Sequence, residues 1–382
     1  MTAPVIDLAC ELIRRPSVTP DDAGCQALLA ARLAGAGFDL EHMPSGPVEN
    51  LLASHGRGRP HLMLLGHTDV VPPGPEDGWD SLAFEPAIRG GMLYGRGAAD
   101  MKSSVAAFVV ALEQFVGGHP DHPGTVSLLV TSDEEGTAEH GVRTVVPRLQ
   151  RDGRLPDYVL AGEPSSAERL GDRIRVGRRG SIQARLTIQG VQGHTAYADP
   201  SDNPVHRAAP LLTALAAMEF DDGDELFPAT GLQISNLRAG TGADNVTPGE
   251  LEVWFNFRHH PATGAEQLES RVRALIEAHE PGEWKLDWRI SGAPFGPATG
   301  PLVDAVTGAC SARLGIQPQP GTGGGTSDGR FFGPLGIPVV ELGPVNRTIH
   351  RINECVRVDD LERLPGVYLE IVERLLLRGA AG

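Results

Sequence analysis

The chain has 382 residues, and its 33 Lys+Arg against 49 Asp+Glu give a formal net charge of −16. Apolar residues make up 41% and charged residues 21%, the balance of a globular protein with a core rather than of a disordered chain. The acidic surplus argues against nucleic acid or anionic membrane as a partner, since both ask for a basic face. No apolar run approaches the roughly 20 residues of a spanning helix. The opening MTAPVIDLACELIRRPSVTP lacks the basic-then-apolar pattern of a secretory signal. Cys10, Cys25, Cys310 and Cys355 are scattered without a CxxC pair, so they read as reduced, buried thiols. The expectation is a cytoplasmic enzyme or small-molecule binder.

Val5, Leu8, Ala9, Leu12 and Ile13 recur at helical spacing up to Arg14-Arg15-Pro16. Thr19-Pro20-Asp21-Asp22 reads as the cap and acidic first turn of a second helix over 23–34. The apolar runs at 61–66, 125–131 and 158–161 predict buried strands, and 104–116 a helix buried on all sides. Strands alternating with helices predict an α/β domain with a mostly parallel sheet. From Ser181 to Gln189 the pattern becomes alternating, as in a sheet with one wet face. Helices over 205–218 and 265–279, with strands at 233–237, 250–258 and 284–290, complete a β-α-β-β-α-β order, a split βαβ unit. The first style returns with a strand at 337–342 and a helix over 359–377. The reading is one α/β domain, residues 1–178 and 294–382, interrupted by an α+β insertion, residues 179–293.

Histidines and acids gather where the apolar runs stop, the edge at which open α/β sheets bind ligands. His67 and Asp69, two apart on an extended chain, share a side, and Asp69 suits the task of orienting a ligand histidine. Asp100 opens the buried helix and on its own reads better as a cap. Glu134-Glu135 follow one strand, Glu163 another, and His350 lies beyond the last. Taken singly, each fits a solvated turn. Together they are a cysteine-free donor set suited to zinc or a similar divalent ion, and a shared carboxylate could hold two ions roughly 3.5–4 Å apart for assisted hydrolysis. His119, His122, His206, His259, His260 and His279 have no carboxylates at ligand spacing, and His140 is set apart only by its nearness to the Glu134-Glu135 turn.

HTDVVPPG, GRGAADMK, SDEEG, GEPSS, GHTAYADP and IHRINE follow one another along the chain. In that order they resemble the dinuclear zinc aminoacylase and peptidase family called M20, over essentially the whole length. The resemblance implies a zinc-peptidase-like catalytic domain with an inserted dimerisation domain. It implies two Zn2+ per subunit, with Co2+ or Mn2+ able to replace one: His67, Asp100 and Glu163 would hold the first, and Asp100, Glu135 and His350 the second. Glu134 would be the general base, taking a proton from the attacking water and passing it to the leaving amine. Asp69 would orient His67, and His194 would reach the active site of the partner in a homodimer to stabilise an oxyanion.

Arg14 to Asp22, Gly177 to Ser181 and Gly324 to Phe331 are most similar to the members that remove succinate from N-succinyl-LL-2,6-diaminopimelate, in lysine and cell-wall precursor synthesis. A succinyl amide carries a free carboxylate, so a fixed cation is expected. Arg178 and Arg258 are the candidates, and the backbone of Gly323-Gly324-Gly325-Thr326-Ser327 offers a nest for the same carboxylate. By the same resemblance Tyr197, Asn245 and Asn346 line the substrate site. An N-acetylornithine deacetylase or related aminoacylase is the nearest rival, and a metal-dependent binder without turnover is the rival of another class.

Overall fold

A computed structural model describes residues 3–378. It divides into two compact units, one holding the chain up to Gly177, Gly296–Gly321 and the chain from Ser327, the other Arg178–Phe295 with Thr322–Thr326. The segment carrying Thr326 thus groups with the insertion, where the sequence reading had kept it outside.

Helix α1 (Pro4–Ile13) starts on a proline, whose missing N–H costs nothing in a first turn, and buries Val5, Leu8, Ala9, Leu12 and Ile13. Helix α2 (Cys25–Gly35) begins two residues later than expected, because Ala23 and Gly24 adopt φ of 50° and 80°. Asp22 still serves it, its Oδ2 accepting from Gln26 N at 2.9 Å. Strands β1 (Asp39–His42) and β2 (Asn50–Arg57) form an antiparallel pair that the sequence reading did not contain. Strand β3 (His61–His67) runs one residue beyond its apolar stretch, and that residue is His67. The short β4 (Ala87–Arg89) and β5 (Met92–Tyr94) precede helix α3 (Ser103–Gly118), whose residues from Ser103 to Leu112 are all buried. Strand β6 (Gly124–Thr131), helix α4 (Val142–Arg151), and strands β7 (Tyr158–Ala161) and β8 (Arg173–Arg175) complete this stretch.

The inserted unit comprises β9 (Gly180–Gln189), β10 (Gly193–His194), α5 (Pro204–Ala216), β11 (Gly231–Ala239), β12 (Val246–Thr247), β13 (Glu250–His259), α6 (Ala265–Ala278) and β14 (Trp284–Gly292). Its main sheet has the antiparallel order β11-β13-β9-β14. Alternation does its expected work here: Ile182, Ala184, Leu186 and Ile188 of β9 pack with Val253, Phe255 and Phe257 of β13 against Leu211, Leu215, Leu268 and Val272 of the two helices.

The chain then returns through α7 (Pro301–Leu314), β15 (Gln319–Gly321), β16 (Val339–Glu341), β17 (Cys355–Arg357) and α8 (Val358–Glu373). Among the described residues, eight strands form the large sheet, in the order β1-β2-β6-β3-β7-β16-β8-β15. Its centre, β6-β3-β7-β16, is parallel throughout, so these four strands end on one edge. β2 runs antiparallel to β6, and β16 antiparallel to β8. The fold is therefore α/β with a mostly parallel central sheet and an inserted α+β unit.

Phe108 of α3 is fully buried, its ring centroid 4.3 Å from that of Tyr368 on α8, and the Tyr368 hydroxyl donates to Leu342 O at 2.7 Å, just past β16. Phe108→Ala removes this contact and leaves a cavity, so it is expected to destabilise the protein by about 3–5 kcal/mol. Denaturant unfolding followed by circular dichroism measures this, and a midpoint equal to that of the parent would show that α3 is not the packing centre of its unit.

Candidate metal centre

β3 ends in His67, and Asp69 follows; β6 is followed by Glu134 and Glu135, β7 by Glu163, and β16 by the loop that reaches His350. The β3-α3-β6 crossover between parallel neighbours adds Asp100, just ahead of α3. The parallel centre of the sheet thereby delivers all of these side chains to one edge of one unit.

Asp100 is the pivot. Its Oδ1 lies 3.3 Å from His67 Nε2 and its Oδ2 3.4 Å from His350 Nε2. The same His350 nitrogen is 2.9 Å from Glu135 Oε1. His67, Asp100 and Glu135 each bring a ligand atom within 4.8 Å of the others. His67 Nδ1 donates to the Asp69 carbonyl at 2.9 Å, which turns Nε2 toward Asp100. His67 Nε2 and Asp100 Oδ1 are shielded from solvent and have no hydrogen-bond partner. Two acceptors facing one another at this distance require something positive between them, a proton or a metal ion, and the imidazole and carboxylate donors fit zinc or a similar divalent cation.

The electrostatics agree. Burial opposes a charge on His67, yet the nearby carboxylates of Asp100, Asp69 and Glu163 raise its pKa well above that of a free imidazole. Hydrogen bonds to Asp100 and Glu135 push His350 up to about 10. Burial alone would raise Asp100, but the two histidines hold it far below the usual carboxylate range. Glu163 moves the other way, pushed well up by burial and by the negative charges of Asp100 and Glu134. Burial likewise raises Glu134, against the pull of Arg330, whose Nη1 lies 3.6 Å from Glu134 Oε1.

The Asp69 side chain has a task beyond the imidazole. Its carboxylate is 3.6 Å from His67 Nδ1 but accepts from the backbone of Glu134 at 3.3 Å and of Glu135 at 3.0 Å. Asp133 completes the turn, accepting from Ala138 N at 3.1 Å and His140 N at 2.9 Å. His350 sits in the left-handed region at φ 61°, a backbone state uncommon outside glycine and one that clusters at functional sites.

The substrate candidates fall into separate groups. In the inserted unit Arg178 is buried, and its Nη1 donates to Gly323 O at 2.7 Å, in the loop that carries Thr326. Gly324 there has φ 98°, and a Cβ on it would meet Arg178 Nη1 at 2.7 Å. Arg258 stands opposite Ser181 in the β13/β9 register. His194 and Tyr197 pair their rings at 5.5 Å on an exposed loop, and Thr195 N donates to Asn245 O at 3.0 Å. Asn346 belongs to the other unit, its N–H bonded to Ser166 O at 3.0 Å. Sequence reasoning assigned no role to Arg330, Asp133, Arg96 or Glu354, although all four lie inside segments it singled out.

The profile of the peptidase family M20/M25/M40 matches residues 63–374. The chain belongs to that family. A protein of Stenotrophomonas maltophilia (strain K279a) named succinyl-diaminopimelate desuccinylase is 58% identical over 373 residues, covering 98% of this chain and 99% of the relative. A protein of the same name from Xanthomonas campestris pv. campestris (strain 8004) is 56% identical over 377 residues, covering 99% and 100%. Among solved structures, an M20 metallo-carboxypeptidase from Sulfolobus solfataricus aligns with a TM-score of 0.85 at 16% identity, over 98% of this chain and 99% of that one. A dinuclear metal-binding M20 peptidase from Bacillus subtilis aligns with a TM-score of 0.72 at 16% identity, over 96% and 97%. At such identity these two speak for the fold alone. Among the described residues, no helix is long and apolar enough to cross a membrane.

Because a divalent cation has to displace the protons held on His67 and His350, its apparent affinity is expected to rise with pH from 6.5 toward about 10, the value at which His350 gives up its proton without help. Competition with a chromogenic chelator between pH 6.5 and 8.5 measures this. A pH-independent affinity would mean that these histidines are not ligands.

Proposed function

We propose that the chain is a metal-dependent amidohydrolase that removes succinate from N-succinyl-LL-2,6-diaminopimelate, releasing LL-2,6-diaminopimelate in the cytoplasm for lysine and cell-wall precursor synthesis. The observation that carries the metal part is the division of the Asp100 carboxylate, one oxygen toward His67 and the other toward His350 and its partner Glu135. His67, Asp100 and Glu163 would hold one Zn2+, and Asp100, Glu135 and His350 the other, with Co2+ or Mn2+ as substitutes at one position. When bound, such a pair lowers the pKa of a water and polarises an amide carbonyl.

The protein's own groups do the rest. Glu134 is the general base: its carboxylate removes a proton from the attacking water and delivers it to the leaving amine nitrogen. Burial raises the proton affinity of Glu134, which suits a group that must hold a proton between those two steps, and Arg330 limits the rise. Asp69 keeps Glu134 and Glu135 in place through their amides. For the succinyl carboxylate the reading uses Arg178, Arg258 and Thr326; a guanidinium already fixed on Gly323 loses little freedom on gripping it. Tyr197, Asn245 and Asn346 would also line the substrate site.

In this reading the protein is a homodimer assembled through the inserted unit, and His194 stabilises the oxyanion in the partner's site. The exposure of Tyr197, 89% in the single chain, and its ring contact with His194 support a role for that loop toward a second chain. The relatives of the same name, similar along their full length, support the substrate.

Purified, metal-loaded protein is expected to prefer the succinylated substrate strongly over N-acetylornithine; the opposite preference would overturn the substrate assignment. Arg258→Ala should raise KM for succinyl substrates and leave acetyl ones nearly unaffected. Glu134→Gln is expected to lower kcat by about 10²–10⁴-fold while metal content stays unchanged, which steady-state kinetics and elemental analysis check together.

A further inference from the structure

Arg96 and Glu354 lie outside the ligand set, yet they are among the most deeply buried charges in the protein, 2% and 1% exposed. Arg96 Nη1 meets Glu354 Oε2 at 2.7 Å. The same Oε2 accepts from Gly97 N at 3.1 Å, while Oε1 accepts from Ala99 N at 2.9 Å and from Asp100 N at 3.0 Å. One carboxylate thus gathers three amides of the four residues that end in Asp100. The Glu354 carbonyl adds a bond from Gly95 N at 3.0 Å. The guanidinium is shared just as widely: Nη1 also donates to Arg351 O at 3.1 Å, Nη2 lies 3.4 Å from both Pro72 O and Pro73 O, and its face covers Trp79 at 5.3 Å.

These bonds join the segment after His67, the segment before Asp100 and the segment after His350. We propose that the Arg96–Glu354 pair is the positioning device of the metal centre, locking the Asp100 backbone so that its two carboxylate oxygens divide between His67 and His350. Asp100 can face both histidines only if its own φ and ψ are held, and its N–H is fixed by Glu354 Oε1. Gly97 is part of the same lock, since at φ 81° a Cβ there would come within 2.6 Å of Val70 Cγ1. Partners behind metal ligands set orientation in this way, and their loss typically weakens metal affinity about 10–100-fold. The inference rests on the proposed metal centre.

The test is cobalt binding to metal-free protein by calorimetry, together with the visible spectrum of the cobalt-loaded protein. Glu354→Gln keeps the shape, removes the charge and presents an N–H to backbone donors. It is expected to weaken binding of at least one of two Co2+ ions by about 10–100-fold and to change the absorption bands. Glu354→Asp keeps the charge on a shorter arm; it is expected to recover part of that loss and serves if the glutamine variant does not fold. Glu370→Gln breaks another buried carboxylate cluster, with Arg313 and Arg374, away from the ligand segments. It should lower the melting temperature and leave cobalt affinity and spectrum unmoved. Parent affinity and spectrum in both Glu354 variants, whatever their melting temperatures, would reduce the pair to an ordinary buried salt bridge. If the parent itself fails to take up two Co2+, the metal-centre reading falls and takes the positioning role with it.

Discussion

The structure is organised around the problem of keeping several carboxylates close together away from water. Asp100, Glu134, Glu135 and Glu163 converge on two histidines, and like charges in such a place are stable only with positive charge among them. The acids respond unequally. Asp100, facing both imidazoles, stays ionised, whereas Glu134 and Glu163 are driven toward protonation by burial, with neighbouring negative charge adding to it. A cation pair would answer the same demand that protons answer in its absence, and it would release Glu163 to serve as a ligand and Glu134 to serve as a base.

The sheet makes this crowding possible. Four adjacent parallel strands must end on one edge; the connections that leave β3, β6 and β7 carry acids within a few residues of the last pleat, β3 itself ends on His67, and the loop after β16 reaches His350. A second layer of buried charge then controls where these groups point. Asp69 and Asp133 spend their oxygens on backbone amides of the Glu134–His140 turn, and Glu354 does so for the approach to Asp100. Acids that face amides thus hold in place the acids that face the centre.

Much of this was legible in the chain. The apolar runs at β3, β6 and β7 stop abruptly, and the residue types at each stop are the ones a metal centre needs. The alternation in β9 and β13 marked the inserted unit for the same reason, since one face of each strand is buried and the other is not. The β1–β2 pair was not legible: Asp-Leu-Glu-His is too polar to announce a strand, and its place is set by pairing with β2. The start of α2 was misjudged because left-handed conformations at Ala23 and Gly24 delay it. Glu354 and Arg96 escaped for a deeper reason. A charged residue carries no mark of burial in sequence, and what makes this pair informative is three amides brought to one carboxylate across more than 250 positions of chain.

In the proposed function, chemistry and selectivity are carried by different parts of the chain. The centre around Asp100 belongs wholly to one unit and is indifferent to which acyl group arrives, because a water, a carbonyl and a leaving amine are common to every amide. Peptidases that share this fold at 16% identity illustrate how little the fold restricts the substrate. What separates a succinyl from an acetyl group is one carboxylate some distance from the scissile bond. On a chain with net charge −16 that carboxylate is repelled at long range. In the proposed function local cations reverse this, with Arg178, already bonded to the glycine loop that carries Thr326 in the inserted unit, as the candidate. Substrate choice in this reading is therefore a property of a few arginines and a loop backbone, not of the metal ligands.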